Sequence, residues 1–281
     1  MRFAVKTAPQ MTTWAAMLEV WRAADAIDLF ESAWNFDHFE PILAQPRNGP
    51  CLEGWSTLAA LAQATTRIRV GCMVTGVPYR HPAVLANMAA TVDHIAGGRL
   101  ELGLGAGWNQ AECDAYGIEL PGLRERFDRF DEACEVVISL LSRPVTDYEG
   151  EHFRLAGAHC EPKPVQRPHP PITIGGDGPR RTLRAVARYA QRWNTPFTSP
   201  EALASATDVL AAHCADVGRD PAEIDVTAQV IHDPAAGPTA TAEAAASLGA
   251  AGCGLAVVYL PETHHTAAEV ERLAAALAGV R

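Results

Sequence analysis

The sequence predicts one (β/α)8 TIM barrel spanning residues 1–281, and three observations carry that fold class. The length matches a barrel of about 250 residues with one insertion. Eight short extended segments alternate strictly with eight helical ones, the order expected of repeated βα units. The alternation breaks once, between the fourth and fifth strands, over roughly 143–171. An eight-stranded doubly wound sheet is the other arrangement of the same elements.

The elements follow in order. Residues 2–7 read as the first strand. Residues 11–27 read as a helix with Met17, Leu18, Trp21 and Ala24 on one stripe. Residues 28–34 form the second strand, and 52–64 a helix with Glu53 in its first turn. The β-branched run 67–74 is the third strand. Pro82 opens the next helix, to about 95, because a first-turn proline gives up no helical hydrogen bond. Residues 99–105 are the fourth strand, followed by a loop with Gly117, Pro121 and Gly122 and a long helix over 123–141. Residues 144–155 read as a β-hairpin turning at Glu149-Gly150. Prolines 162, 164, 168, 170 and 171 then make an extended, stiff connection. Strands over 172–175, 192–195, 224–231 and 254–259 alternate with helices over 179–190, 200–217, 240–248 and 266–277.

Composition narrows the function. Apolar residues make up 48% and charged residues 20%, an ordinary globular balance. The net charge of −10 argues against nucleic acid and anionic membranes as partners. No run of 18 apolar residues and no signal-peptide core is present, so a cytoplasmic location is expected. Lys6 and Lys163 are the lysines among 23 basic residues, so a lysine-dependent aldolase would rest on Lys6. Seven dispersed cysteines without a Cys-x-x-Cys pair argue against disulfides and structural zinc. His264-His265, Glu262 and His232-Asp233 lie after the last two strands, but their spacing matches no metal-site pattern; no metal is expected.

A barrel of this kind carries its chemistry at the C-terminal ends of its strands. The segments to inspect are therefore 7–10, 35–51, 75–81, 105–122, 175–178, 195–199, 232–238 and 260–265. In the fourth strand Glu101, Gly103, Gly105 and Gly107 share one face and Leu100, Leu102, Leu104 and Ala106 the other. The leucine face would meet the helices. The glycine face would either line the mouth with bare backbone, open to a flat ring or a phosphate, or relieve crowding inside the barrel. The spacing G-x-G-x-G is not the dinucleotide fingerprint G-x-G-x-x-G. Gly175-Gly176-Asp177-Gly178 ends the fifth strand just before a helix, a place suited to phosphate, with Arg180 and Arg181 alongside. Asp37-His38 ends the second strand: His38 suits proton exchange and Asp37 would orient it. Cys72 ends the third strand with no adjacent activating group.

With these residues in view, the chain resembles the luciferase-like monooxygenase superfamily, and within it the branch that uses the deazaflavin coenzyme F420. The likeness rests on residues 65–71, 79–86 and 97–108, on 112–117, on the 124–135 helix and on Pro170-Pro171-Ile172-Thr173-Ile174-Gly175-Gly176. The resemblance implies the barrel, its insertion, a homodimer and a cofactor lying across the mouth. It implies a non-proline cis peptide behind the ring, at Cys72-Met73. It assigns cofactor contacts to Asp37, His38, Cys72, Met73, Gly105, Ala106, Gly107, Trp108, Gly175 and Gly176, with Gly178 and Arg180 beside the phosphate. Phe36-Asp37-His38-Phe39-Glu40-Pro41 is also similar to the sugar-phosphate dehydrogenases of that branch. Those enzymes carry Trp where Ile42 stands and an acid where Trp108 stands, so sugar-phosphate oxidation is disfavoured. Ile42 and Trp108 are expected to line an apolar substrate. The expected activity is hydride transfer between F420 and a small organic substrate, with His38 and Asp37 catalytic. An FMN-dependent monooxygenase is the alternative, and a non-catalytic flavin-binding protein a third. Arg80, Arg180 and Arg181 are candidates for a cationic groove around the anionic cofactor tail.

Overall fold

Eight parallel strands close on themselves in the structure, a computed structural model that describes residues 1–43, 46–196 and 199–280. Positions 44, 45, 197, 198 and 281 lie outside the described residues. The staves begin with β1 (Arg2–Thr7), β2 (Phe30–Asn35) and β3 (Arg69–Cys72) with its short continuation β4 (Thr75–Gly76), then β5 (Leu100–Gly105). An antiparallel hairpin, β6 (Thr146–Glu149) and β7 (Arg154–Ala158), stands apart. The barrel resumes with β8 (Ile172–Gly175), β9 (Arg192–Thr195), β10 (Asp225–Ile231) and β11 (Leu255–Leu260). β5 pairs with both β3 and β8, and β11 with β1, which closes the ring.

The helices are α1 (Trp14–Ala26), α2 (Gly54–Ala64), α3 (Pro82–Ile95), α4 (Gln110–Tyr116), α5 (Leu123–Ser142), α6 (Thr182–Tyr189), α7 (Pro200–Val217), α8 (Gly237–Ala250) and α9 (Ala267–Leu277). Strand alternation divides the core in two. Leu100, Leu102 and Leu104 face outward into the helix layer, whereas Ala4, Trp34, Met73, Leu255 and Val257 form a separate inner cluster.

The floor of the barrel is ionic. Arg2 bridges Glu31 (3.1 Å) and Asp225 (2.5 Å), and Arg192 bridges Glu31 (3.0 Å), Glu101 (3.5 Å) and Asp225 (3.5 Å). Arg69 completes the ring on Glu101, whose side chain is fully buried.

Several boundaries differ from expectation for identifiable reasons. α1 starts at Trp14 because the Thr13 hydroxyl accepts the Ala16 N–H (3.2 Å), an N-cap. β3 starts at Arg69 because Arg67 turns away to donate to the Ala24, Ile27 and Phe30 carbonyls. β3 also stops at Cys72, and the cis peptide lies at Met73-Val74, one residue beyond the expected Cys72-Met73. α6 starts at Thr182 and not at 179: a turn intervenes, in which the Leu183 N–H reaches back to the Gly178 carbonyl (3.1 Å). α4 lies in a stretch read as loop. Its signal is Asn109-x-x-Glu112, with the Asn109 side chain accepting the Glu112 N–H (3.3 Å). The hairpin forms, but its turn is the four residues 150–153 and not Glu149-Gly150, because the Glu151, His152 and Phe153 N–H groups donate to Glu132.

Candidate active site at the barrel mouth

A cavity of about 560 Å³ opens at the C-terminal ends of the strands. Its back wall is Val74, and the reason Val74 sits there is the glycine face of β5. A Cβ at Gly103 would lie 1.9 Å from the Cys72 carbonyl oxygen, and one at Gly105 2.6 Å from the Val74 side chain. The two glycines therefore let the end of β3 press against β5, and Val74 fills the space their side chains would occupy. The packing fits the reading in which the glycines relieve crowding inside the barrel: over Gly103 and Gly105 the surface is the Val74 side chain and not bare backbone.

The same cavity is lined by an imidazole. His38 Nδ1 donates to Glu112 Oε2 (2.8 Å), and the Tyr79 hydroxyl donates to the same oxygen (2.5 Å). The Phe39 N–H donates to the other carboxylate oxygen (2.7 Å). Burial acts to raise the Glu112 pKa, but the hydrogen bonds from His38 and Tyr79 outweigh it and hold the carboxyl below its ordinary value. Burial, reinforced by Glu112, pushes the Tyr79 phenol up, so it remains a donor. Because the carboxylate takes Nδ1, His38 Nε2 keeps no protein partner among the described residues. The Phe36 and Trp108 rings pack edge-on against the imidazole at 5.1 and 5.5 Å between centroids.

Two expectations are corrected here. Asp37 does not orient His38. Consecutive residues of an extended segment point to opposite sides, and Asp37 is buried against Arg80, which donates to both its oxygens (2.6 and 2.8 Å). Burial pushes the Asp37 carboxyl up from its ordinary value, against the pull of Arg80. Glu112 is the residue that orients the imidazole; sequence reading placed it only within the family-like stretch 112–117. The second correction concerns the cationic groove. Arg80 is spent on Asp37, and Arg181 pairs with Asp128 (2.5 Å) and Asp131 (3.8 Å). Arg180 is exposed and outside the lining of the cavity.

The remaining candidates are placed as follows. Met73, Gly105, Ala106, Gly107, Trp108, Gly175, Gly176, Gly178 and Ile42 all line the cavity. Cys72 is buried behind the lining, and burial pushes its thiol well up, so it is no nucleophile. The Gly176 turn is pinned by Trp193, whose indole donates to the Gly176 carbonyl (2.7 Å), and by the Gly176 N–H on Asn194 (3.0 Å). His232 is enclosed by Thr241 (2.8 Å) and Glu269 (2.9 Å), and His265 contacts Thr12 (3.0 Å). Among the described residues no three such groups gather in a metal-holding cluster. Lys6, read only as a remote Schiff-base candidate, lies on the cavity floor with Asn194 and Gln229.

This geometry can be set beside known proteins. The profile of the luciferase-like monooxygenase family matches residues 1–273. The chain belongs to the luciferase-like monooxygenase family. An F420-dependent glucose-6-phosphate dehydrogenase of Nocardia farcinica is 34% identical over 203 residues, covering 69% of this chain and 58% of that protein. An uncharacterized protein of Mycobacterium tuberculosis is 36% identical over 145 residues, 51% of this chain and 50% of that one. The chain thus spans about half the length of the curated relatives it matches. Among solved structures, an F420-dependent secondary alcohol dehydrogenase in complex with an F420-acetone adduct superposes with a TM-score of 0.87 at 18% identity, over 100% of this chain and 99% of that one. A long-chain alkane monooxygenase gives 0.83 at 14% identity, over 99% and 91%. Likeness at that identity establishes a shared fold. The closed eight-stranded barrel and the family are thereby settled. No helix among the described residues is long and apolar enough to cross a membrane.

Proposed function

We propose that this chain is an F420-dependent oxidoreductase acting on a small, largely apolar organic molecule, most simply by reducing an activated C=C or C=N bond. The observation that carries the reading is the pairing of the Val74 platform with a carboxylate-held imidazole in one cavity. The F420-dependent relative at 34% identity supports the choice of cofactor.

The residues present fit a deazaflavin. Val74 offers an apolar face to a planar ring, the small residues Gly105, Ala106 and Gly107 keep the rim beside it low, and the Gly175 to Gly178 turn before α6 suits an anionic tail. When bound, the reduced cofactor supplies the hydride; the protein supplies orientation and the proton. In this reading His38 delivers that proton from Nε2 to the atom next to the one that accepts the hydride. Glu112 fixes Nδ1–H and with it the orientation of the ring. Trp108 and Ile42 present apolar surface beside the imidazole, which favours an apolar substrate body and disfavours a sugar phosphate.

The reading is tested by anaerobic incubation with reduced F420 and a panel of activated alkenes and imines, following reoxidation of the deazaflavin. Turnover without oxygen is expected. Activity that instead requires reduced FMN and oxygen overturns the reading in favour of a monooxygenase.

A further inference from the structure

Lys6 is a buried cation without a counter-ion. It is 9% exposed, lines the cavity floor and, among the described residues, has no carboxylate within 4.0 Å. Its ammonium donates to Gln229 Oε1 (2.8 Å) and rests 5.1 Å from the centre of the Tyr259 ring. The Gln229 amide is held in turn by Asn194 (3.1 Å), and Asn194 donates to Thr227 (3.0 Å). An ammonium has three donors and no acceptor, so this arrangement leaves donors to face the cavity. Glu262, whose charge acts on Lys6, accepts from Tyr259 (2.7 Å) and Gln10 (2.8 Å).

Lys163 shows what a structural lysine looks like in the same molecule. Its ammonium is satisfied by the Leu140 and Cys160 carbonyls and lies 3.4 Å from Glu161. A buried charge is retained when something pairs with it, and at Lys6 the partner must come from the cavity.

We propose that Lys6 is the anchor for an anionic head group, so that the substrate is a small carboxylate whose apolar body extends from the floor toward Ile42 and Trp108. This rests on the reading of the cavity as a substrate pocket and gives that substrate a polar end. Gln229 and Asn194 complete the polar floor, and Lys6 is a binding and specificity residue there. Burial pulls the Lys6 pKa down to about 8, so the ammonium is largely charged at neutral pH and discharges just above it. Cys72 and Tyr259, which face Lys6 from β3 and β11, are both pushed up by burial and stay protonated in that range. Glu262 faces it from the loop after β11 as a hydrogen-bonded carboxylate.

The test is calorimetric titration of the full chain, without added cofactor, with crotonate and with crotyl alcohol, two probes of the same carbon skeleton. Wild type is expected to bind crotonate at least about tenfold more tightly at pH 7, with the preference fading above pH 8. K6M should bring the two probes within about twofold and abolish the pH step, and K6R should keep the preference. Equal binding of both probes by wild type, or an undiminished preference in K6M, overturns the anchor. A parallel F420 titration keeps the two readings apart: carboxylate preference without F420 binding removes the cofactor and leaves the anchor standing.

Discussion

His38 and Asp37 are neighbours in sequence that do different work. His38 faces the cavity with Nε2 available, and His38→Ala is expected to lower kcat about 10²- to 10⁴-fold, the usual range for a lost general acid. Steady-state kinetics beside an F420 titration checks this; retention of most turnover removes the role. Asp37 instead neutralises Arg80 in a buried pair, so Asp37→Asn should act through stability. Leaving one partner of such a pair uncompensated costs about 3 kcal/mol, to be read from the urea midpoint. Lys6 shows the opposite sign. Its folded pKa of about 8 lies below the unfolded value of about 10.4, so the folded state binds that proton less well. The stability penalty is complete below pH 8 and disappears as pH rises toward the unfolded value. Lys6→Met is therefore expected to stabilise the chain by about 3 kcal/mol at pH 7, and by progressively less above pH 8, as thermal melts across that range would show.

At the scale of elements, the end of β3 and the glycine face of β5 are one device. Gly103→Ala would drive a methyl group into the Cys72 carbonyl, backbone that cannot move aside without displacing Val74. Overpacking of that severity costs about 3 kcal/mol, and the platform should be lost with it. A Gly103→Ala protein of unchanged stability would show that β3 does not need the close approach. The glycine face was legible in the sequence because period-two alternation put the leucines on one side and the glycines on the other. What lay against the glycines was not legible, since Val74 and the Cys72 carbonyl arrive from another strand. The same limit explains Glu112. His38 and Glu112 are 74 residues apart in sequence, and only the barrel, which sets β2 and β5 on either side of β3 with α4 following β5, brings them together. Asn109-x-x-Glu112 carries a helix-start signal that the loop reading of this stretch passes over, and nothing local marks the carboxylate as the partner of the histidine. Arg80 and Arg181 misled for a related reason: their acids, Asp37, Asp128 and Asp131, lie on other elements.

Across the whole molecule, the two ends of the barrel divide the labour. The N-terminal end is closed by the ring of Arg2, Glu31, Asp225, Arg192, Glu101 and Arg69, and the C-terminal end holds the cavity. Glu101→Gln leaves Arg69 and Arg192 short of a buried counter-charge and should cost about 3 kcal/mol, with F420 affinity unchanged because the change lies at the far end. Loss of F420 binding in a folded Glu101→Gln protein would contradict that division. The net charge of −10 sets a harder problem for an anionic cofactor, because Arg80 and Arg181, two of the three candidate arginines, are already neutralised. Backbone N–H groups of the turn before α6, and the exposed Arg180, are left to receive a phosphate. The most direct measurement is a parallel fluorescence titration of the purified chain with F420 and with FMN. Saturable binding of F420 at low micromolar concentration, with FMN at least about tenfold weaker, is the predicted result. Tighter binding of FMN, or no binding of F420, would contradict it.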